Sequence, residues 1–90
     1  MSNSISASSI KITVKLFAIY QEVYGVPEIT LQLPAETTVS QVLEMMIKEH
    51  PKLDQWRELT RFGINLEFNS PETRLKDGDE VVLIPPVSGG

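Results

Sequence analysis

The most regular pattern in the chain is an alternation of apolar and polar residues. Ile10, Ile12, Val14 and Leu16 alternate with Lys11, Thr13 and Lys15, the period of two expected of a strand buried on one face. The predicted strand covers residues 10–17, with Phe17 out of phase and its ring turned to the opposite face. Residues 18–24 read as a short helix that Gly25 stops in a left-handed conformation. A second strand is predicted over 28–33, where Ile29, Leu31 and Leu33 alternate with Thr30 and Gln32 before Pro34. The short connection suits an antiparallel pair.

The period then lengthens to that of a helix. Val39, Val42, Leu43, Met46 and Ile47 recur at i, i+3, i+4, i+7 and i+8, an amphipathic face. Thr38 and Gln41 stand at the cap and third positions of a capping box. The predicted helix spans 38–50, because Pro51 disfavours helical geometry in His50. Leu53, Trp56 and Leu59 suggest one more short helical turn. Residues 61–68 are rich in apolar and β-forming types, with Gly63 a weak point, and turn chemistry follows at 70–73 and 76–79. The last strand, 80–85, places Val81 and Leu83 on one face and Val82 and Ile84 on the other. Such a strand is usually central and covered on both sides. One substantial helix covers only one side, so something else is expected over the other. Strand, strand, helix, strands predicts an α+β roll of the β-grasp kind, a mixed sheet with one main helix packed across one face. Its first and last strands are expected to run parallel, side by side.

Composition narrows the function. Ninety residues accommodate one domain, which divides into a disordered Ser-rich leader (1–9), a folded domain (10–85) and an extended tail (86–90). The net charge of −4 disfavours binding to nucleic acid or to an anionic membrane. The longest apolar run, 81–87, is far short of the ~20 residues of a membrane span, and the leader lacks the pattern of a secretory signal. The chain has no cysteine, so it has no disulfide, thiolate metal site or persulfide of its own. His50 is the single histidine and reads as a partner for a helix C-terminus. Asp77, Asp79 and Glu80 read as a solvated turn rather than a metal loop. No glycine spacing makes a phosphate cradle. The chain is expected to be non-catalytic alone.

The C-terminal stretch is unlike an ordinary end. Pro85-Pro86-Val87-Ser88-Gly89-Gly90 follows a strand directly. The prolines keep the chain extended, and the side chains then shrink to nothing, which suits a narrow channel and close backbone approach. The reactive group delivered by such a tail is the carboxylate of Gly90. The full string from Leu75, L-K-D-G-D-E-V-V-L-I-P-P-V-S-G-G, closely resembles the end of the molybdopterin synthase small subunits, a family of ubiquitin-like sulfur carriers. Lys15-Leu16-Phe17-Ala18 resembles that family's first strand running into its short helix. Asn65, Pro71 and Leu75 fit its middle.

The resemblance implies a sulfur carrier in molybdenum cofactor biosynthesis. An E1-like adenylating enzyme uses ATP to activate Gly90, and a sulfur donor protein converts the acyl-adenylate to a thiocarboxylate. The tail, Pro86, Val87, Ser88, Gly89 and Gly90, then enters the active site of the large synthase subunit, which holds the pterin precursor. A cytoplasmic heterotetramer is implied, with no cofactor or metal bound by this chain. Phe17, Phe68, Val82 and Ile84 are the expected partner interface, since apolar residues on a face the helix leaves open mark a binding surface. Asp77, Asp79 and Glu80, near the tail in sequence, are expected to steer toward a basic partner. Two other readings stay open: a sulfur carrier for thiamine or tRNA thiolation or a protein modifier, and a β-grasp interaction domain with an inert terminus. Intact mass separates the inert domain from the carrier readings.

Overall fold

The computed structural model describes residues 9–86. Strand β1 (Ser9–Lys15) is followed by helix α1 (Ile19–Tyr24), β2 (Glu28–Pro34), helix α2 (Val39–Glu49), a 3-10 helix (Pro51–Trp56), β3 (Arg61–Ile64), β4 (Glu67–Asn69) and β5 (Glu80–Ile84). The five strands form one mixed sheet in the order β2-β1-β5-β3-β4. β1 pairs antiparallel with β2, from Ser9 opposite Pro34 to Lys15 opposite Glu28. It pairs parallel with β5, Thr13 opposite Glu80 and Lys15 opposite Val82. The expected β-grasp roll is the observed fold, with β5 central.

α2 forms where its period and caps direct it. Thr38 Oγ1 accepts the Gln41 N–H at 3.3 Å, and Gln41 Oε1 accepts the Thr38 N–H at 2.8 Å. His50 is the C-cap. Eleven residues are too few for a helix that is stable alone in water, so burial of one face must hold it. Val39, Val42, Leu43, Met46 and Ile47 are buried against Ile10, Ile12, Val14, Leu33, Val81 and Leu83 of the sheet in one cluster. Each fully buried aliphatic side chain contributes about 1.5–3 kcal/mol. Tyr20 of α1 and Leu53 of the 3-10 helix join the same core.

Three expectations are refined. β1 begins at Ser9 and its ladder stops at Lys15 rather than residue 17. Leu16 turns instead to donate its N–H to Pro27 O at 2.8 Å, and Ala18 takes a positive φ of 51°. Residues 61–68 are not one extended run. They form a hairpin in which Asn65 (φ 50°) and Leu66 (φ 74°) turn the chain. The backbone twist of such primed two-residue turns matches that of paired strands. The open sheet face, finally, stays uncovered among the described residues. Lys11, Glu28, Thr30 and Gln32 are exposed or half-buried on its β1–β2 half, and Phe68 is exposed on its β4 side.

Candidate functional site

Sheet register builds the open face into two halves. Lys15 lies opposite Val82, Val82 opposite Gly63, and Gly63 opposite Phe68. Directly opposed residues share a face, so one row crosses from charge at β1 to an aromatic ring at β4. Ile84 opposite Arg61 begins the next row. The β2–β1 half is therefore polar, and the β5–β3–β4 half is apolar between Glu80 at one end and Arg61 at the other. Phe17, just beyond β1, is 50% exposed, and Phe68 is 76% exposed. Val82 and Ile84 are half-buried.

Gly63 shapes the apolar half. A Cβ there would lie 3.6 Å from Val82 Cβ and 3.9 Å from Ile84 Cδ1. Without it, a shallow hollow of about 140 Å³ opens between Leu66, Phe68, Val82 and Ile84. A second hollow, about 310 Å³, lies between Phe17, Pro27, Leu66 and Val82, with Lys15, Glu28 and Glu80 beside it. A wider groove of about 730 Å³ runs along Leu59, Phe62, Phe68, Ile84, Pro85 and Pro86, where the chain leaves the sheet. Pro86 is exposed. Val87, Ser88, Gly89 and Gly90, the rest of the expected tail, lie outside the described residues.

The acidic string has a structural part as well. Lys11 N–H donates to Asp77 Oδ1 at 2.8 Å, and Lys76 N–H donates to Asp79 Oδ2 at 2.8 Å. Gly78, at φ 90°, donates its N–H to Lys11 O at 2.7 Å. Only glycine adopts that φ without steric cost. Asn65 Nδ2 donates to Asp79 Oδ1 at 2.9 Å, and Glu80 N–H donates to Asn65 Oδ1 at 3.0 Å. The string thus locks the start of β5 to β1 and to the hairpin turn. It also sits at the far end of β5 from the tail, about 13 Å away over four residue steps.

Lys15 bridges Glu28 at 2.7 Å and Glu80 at 3.5 Å. Its hydrogen bond to Glu28, then the Glu28 charge, raises its pKa, so it remains a cation at the border of the two halves. Tyr20 hydroxyl bonds Thr60 Oγ1, which donates in turn to Trp56 O at 2.9 Å. Burial raises the Tyr20 pKa, and the Thr60 hydrogen bond opposes this. Burial also raises that of Tyr24, reinforced by its hydrogen bond to Glu49 at 3.0 Å. The His50 ring packs edge-on against Tyr24 with centroids 4.6 Å apart. Among the described residues no group of three His, Cys, Asp or Glu side chains gathers to hold a metal.

Two apolar residues of this region are not assigned to the surface by sequence patterning. Leu59, 56% exposed, falls at a helical spacing from Leu53 and Trp56 that suggests core. Leu66, 90% exposed, falls within a β-forming run. A leucine at a left-handed φ costs about 1–2 kcal/mol, and hairpin turns of this kind favour glycine at that position. The one signal for it is an Asn followed by a single residue between two β-forming runs.

The ThiS family model matches residues 14–90. The chain is similar to proteins named molybdopterin synthase sulfur carrier subunit from Chlamydomonas reinhardtii (42% identical, 89% of this chain and 99% of that one) and Arabidopsis thaliana (34%, 97% and 91%). It is 34% identical to small archaeal modifier protein 1 of Haloferax volcanii, over 84% of this chain and 97% of that one. Among solved structures, a putative molybdopterin converting factor subunit 1 from Pyrococcus furiosus superposes with TM-score 0.74 at 31% identity, covering 87% of this chain and 99% of that one. A chain from the complex of subunits 1 and 2 of molybdopterin-converting factor from Helicobacter pylori gives 0.56 at 26%, covering 90% and 100%. No helix among the described residues is long and apolar enough to cross a membrane.

Proposed function

This chain belongs to the ThiS family, and from that membership we propose that it is the sulfur carrier, or small subunit, of a molybdopterin synthase in molybdenum cofactor biosynthesis. The observation that carries the reading is a half-apolar sheet face, uncovered among the described residues, that the chain leaves after β5 through Pro85 and Pro86, four residues in sequence before Gly90. A carrier needs both parts: a surface that docks, and an arm that reaches.

The chemistry resides in the Gly90 carboxylate. A carboxylate is a poor electrophile, so its oxygen first attacks the α-phosphorus of ATP on an E1-like enzyme, and pyrophosphate leaves. A sulfur nucleophile from a donor protein then attacks the acyl carbon. AMP departs with the bonding electrons and one former carboxylate oxygen. The nucleophile being a persulfide, a second thiol then attacks its inner sulfur, forming a disulfide with the donor and releasing the outer sulfur as the thiocarboxylate. In the large subunit that sulfur attacks a carbon of the pterin precursor and displaces an oxygen leaving group. Water then cleaves the acyl–sulfur bond, leaving the sulfur on the pterin and returning the Gly90 carboxylate. Two deliveries supply the two sulfurs of the dithiolene. The carrier contributes position rather than catalysis, which accords with a chain that has no cysteine and one histidine. Phe17, Phe68, Val82 and Ile84 dock on the large subunit. The subunits assemble as a heterotetramer, in the cytoplasm where ATP and the activating enzyme are found. The likeness to a subunit of the Helicobacter pylori complex supports such a partner.

Intact mass of the chain, co-expressed with its activating enzyme and sulfur source, tests the proposal. The expected result is a gain equal to the sulfur-minus-oxygen difference, absent when Gly90 is deleted. An unchanged mass in the complete system refutes it. The likeness to an archaeal modifier supports one second reading, conjugation of Gly90 to an amine, which the same spectra would report as a protein–protein adduct.

A further inference from the structure

Among the described residues Leu66 is the most exposed large apolar side chain. It is 90% exposed, takes a left-handed φ of 74° and is apolar. Strain and exposure each disfavour a leucine here, and backbone strain of this kind persists where the surroundings impose it and clusters at ligand clamps and switches. The surroundings do impose it. Asn65 N–H donates to Glu80 O at 2.9 Å, while the Asn65 side chain bonds Asp79 and the Glu80 N–H. The turn is therefore fastened to the root of β5, and Leu66 is presented rather than left to find its own position. It also separates the two apolar hollows and lines both, with Phe17 and Val82 on one side and Phe68 and Ile84 on the other.

We infer that Leu66 is an anchor of the carrier's docking surface, a ridge that fits an apolar socket on the large subunit while two apolar side chains of that subunit fill the flanking hollows. The inference rests on the proposed carrier function. The flanking hollow of about 140 Å³ suits one such side chain, since an apolar cavity of about 150 Å³ holds a benzene-sized group. The length of the tail restricts the occupant to a body that receives Gly90, and the likeness to a subunit of the Helicobacter pylori complex favours the large subunit among these. Residues 86–90 reach at most about 18 Å when extended, so a body that receives Gly90 must lie close to Pro85. Pro85 follows Ile84, which lines the hollow beside Leu66. Lys15, Glu28 and Glu80 edge the other hollow and supply the polar rim typical of an interface. Asn65 is a positioning residue in this scheme.

The test is the affinity of the full chain for the large molybdopterin synthase subunit of the same organism. Leu66→Asn keeps a residue that tolerates left-handed φ but removes the apolar side chain, and Leu66→Met restores apolarity. Leu66→Gly relieves the strain and controls for folding. The expected result is a Kd raised about tenfold or more in Leu66→Asn and Leu66→Gly, as for other interface anchors, and within about threefold of wild type in Leu66→Met. Thermal stability should hold or rise in the Gly and Asn variants. Equal affinity of wild type and Leu66→Asn overturns the inference and leaves the carrier function standing. A wild-type chain that does not bind the subunit overturns both. Sedimentation showing that Leu66→Asn abolishes self-association, with unchanged affinity for the subunit, assigns the surface to a second copy and overturns it as well.

Discussion

Replacing Phe68 by alanine should separate docking from folding. The ring is 76% exposed. A phenylalanine side chain buries about 200 Å² when wholly covered, so roughly 150 Å² remains for a partner and roughly 50 Å² already serves the domain. At about 25 cal/mol per Å², the partner's share corresponds to about 4 kcal/mol and the domain's share to about 1 kcal/mol. Association retains only part of what the buried area would supply, because ordering and desolvation oppose it. Half of the partner's share, about 2 kcal/mol, corresponds to a Kd raised about 30-fold. Loss of the domain's share lowers Tm by about 4–8 °C in a protein of this size. Titration calorimetry against the large subunit reads the change in affinity, and scanning calorimetry of the free chain reads the change in Tm. A folded Phe68→Ala variant whose Kd stays within about threefold of wild type would refute the placement of this face in the interface.

Other outcomes follow from the same geometry. One residue added after Gly90 displaces the reactive carbon by up to about 3.6 Å, where an error of about 1 Å can cost ~100-fold in rate. Sulfur transfer in a reconstituted system should therefore fail with Tm unchanged, and normal product would contradict delivery through the tail. Thr38→Ala removes the acceptor for the Gln41 N–H and should cost about 1 kcal/mol; an unaltered Tm by circular dichroism would show that the capping box does not stabilise α2. Tyr20 has a folded pKa raised by burial above its unfolded value of about 10. Its contribution is thus fully present below about pH 10 and is lost as pH rises through the folded pKa, when the unfolded chain has already ionised. Chemical denaturation across pH 9–12 should show stability falling, with a shallower slope in Tyr20→Phe; identical slopes would remove Tyr20 from the cause.

Elements with a strong local period are legible in the sequence alone. β1, β2 and α2 repeat apolar residues at a period of 2 or 3.6, and the Thr38–Gln41 capping box marks the start of α2 within a single turn. β5 announces its central place by being apolar on both faces. The hairpin is not legible, because its turn lacks the glycine that usually signals one. Asn65 and Leu66 adopt positive φ in a turn held by bonds from Asn65 to Asp79 and Glu80, 14 and 15 residues further on. The bonding of the acidic string is likewise not legible, since Asp77 and Asp79 meet Lys11 of β1 and Asn65 of the hairpin turn, both distant in sequence.

The candidate site divides in the same way. The carrier end is legible as letters, because Pro85-Pro86 and Gly89-Gly90 act through backbone geometry that each residue brings with it. Phe17, Val82 and Ile84 can be assigned to the open face by counting alternation from their own strands. The surface itself cannot be counted out. Its row of Lys15, Val82, Gly63 and Phe68 draws on four strands, and only inter-strand register sets which residues meet. The hollow at Gly63 exists because Val82, Ile84 and Phe68 surround a missing Cβ. Side chains within one element are placed by its period. A surface made across elements is placed by their pairing, and pairing is decided by the packing of the whole domain.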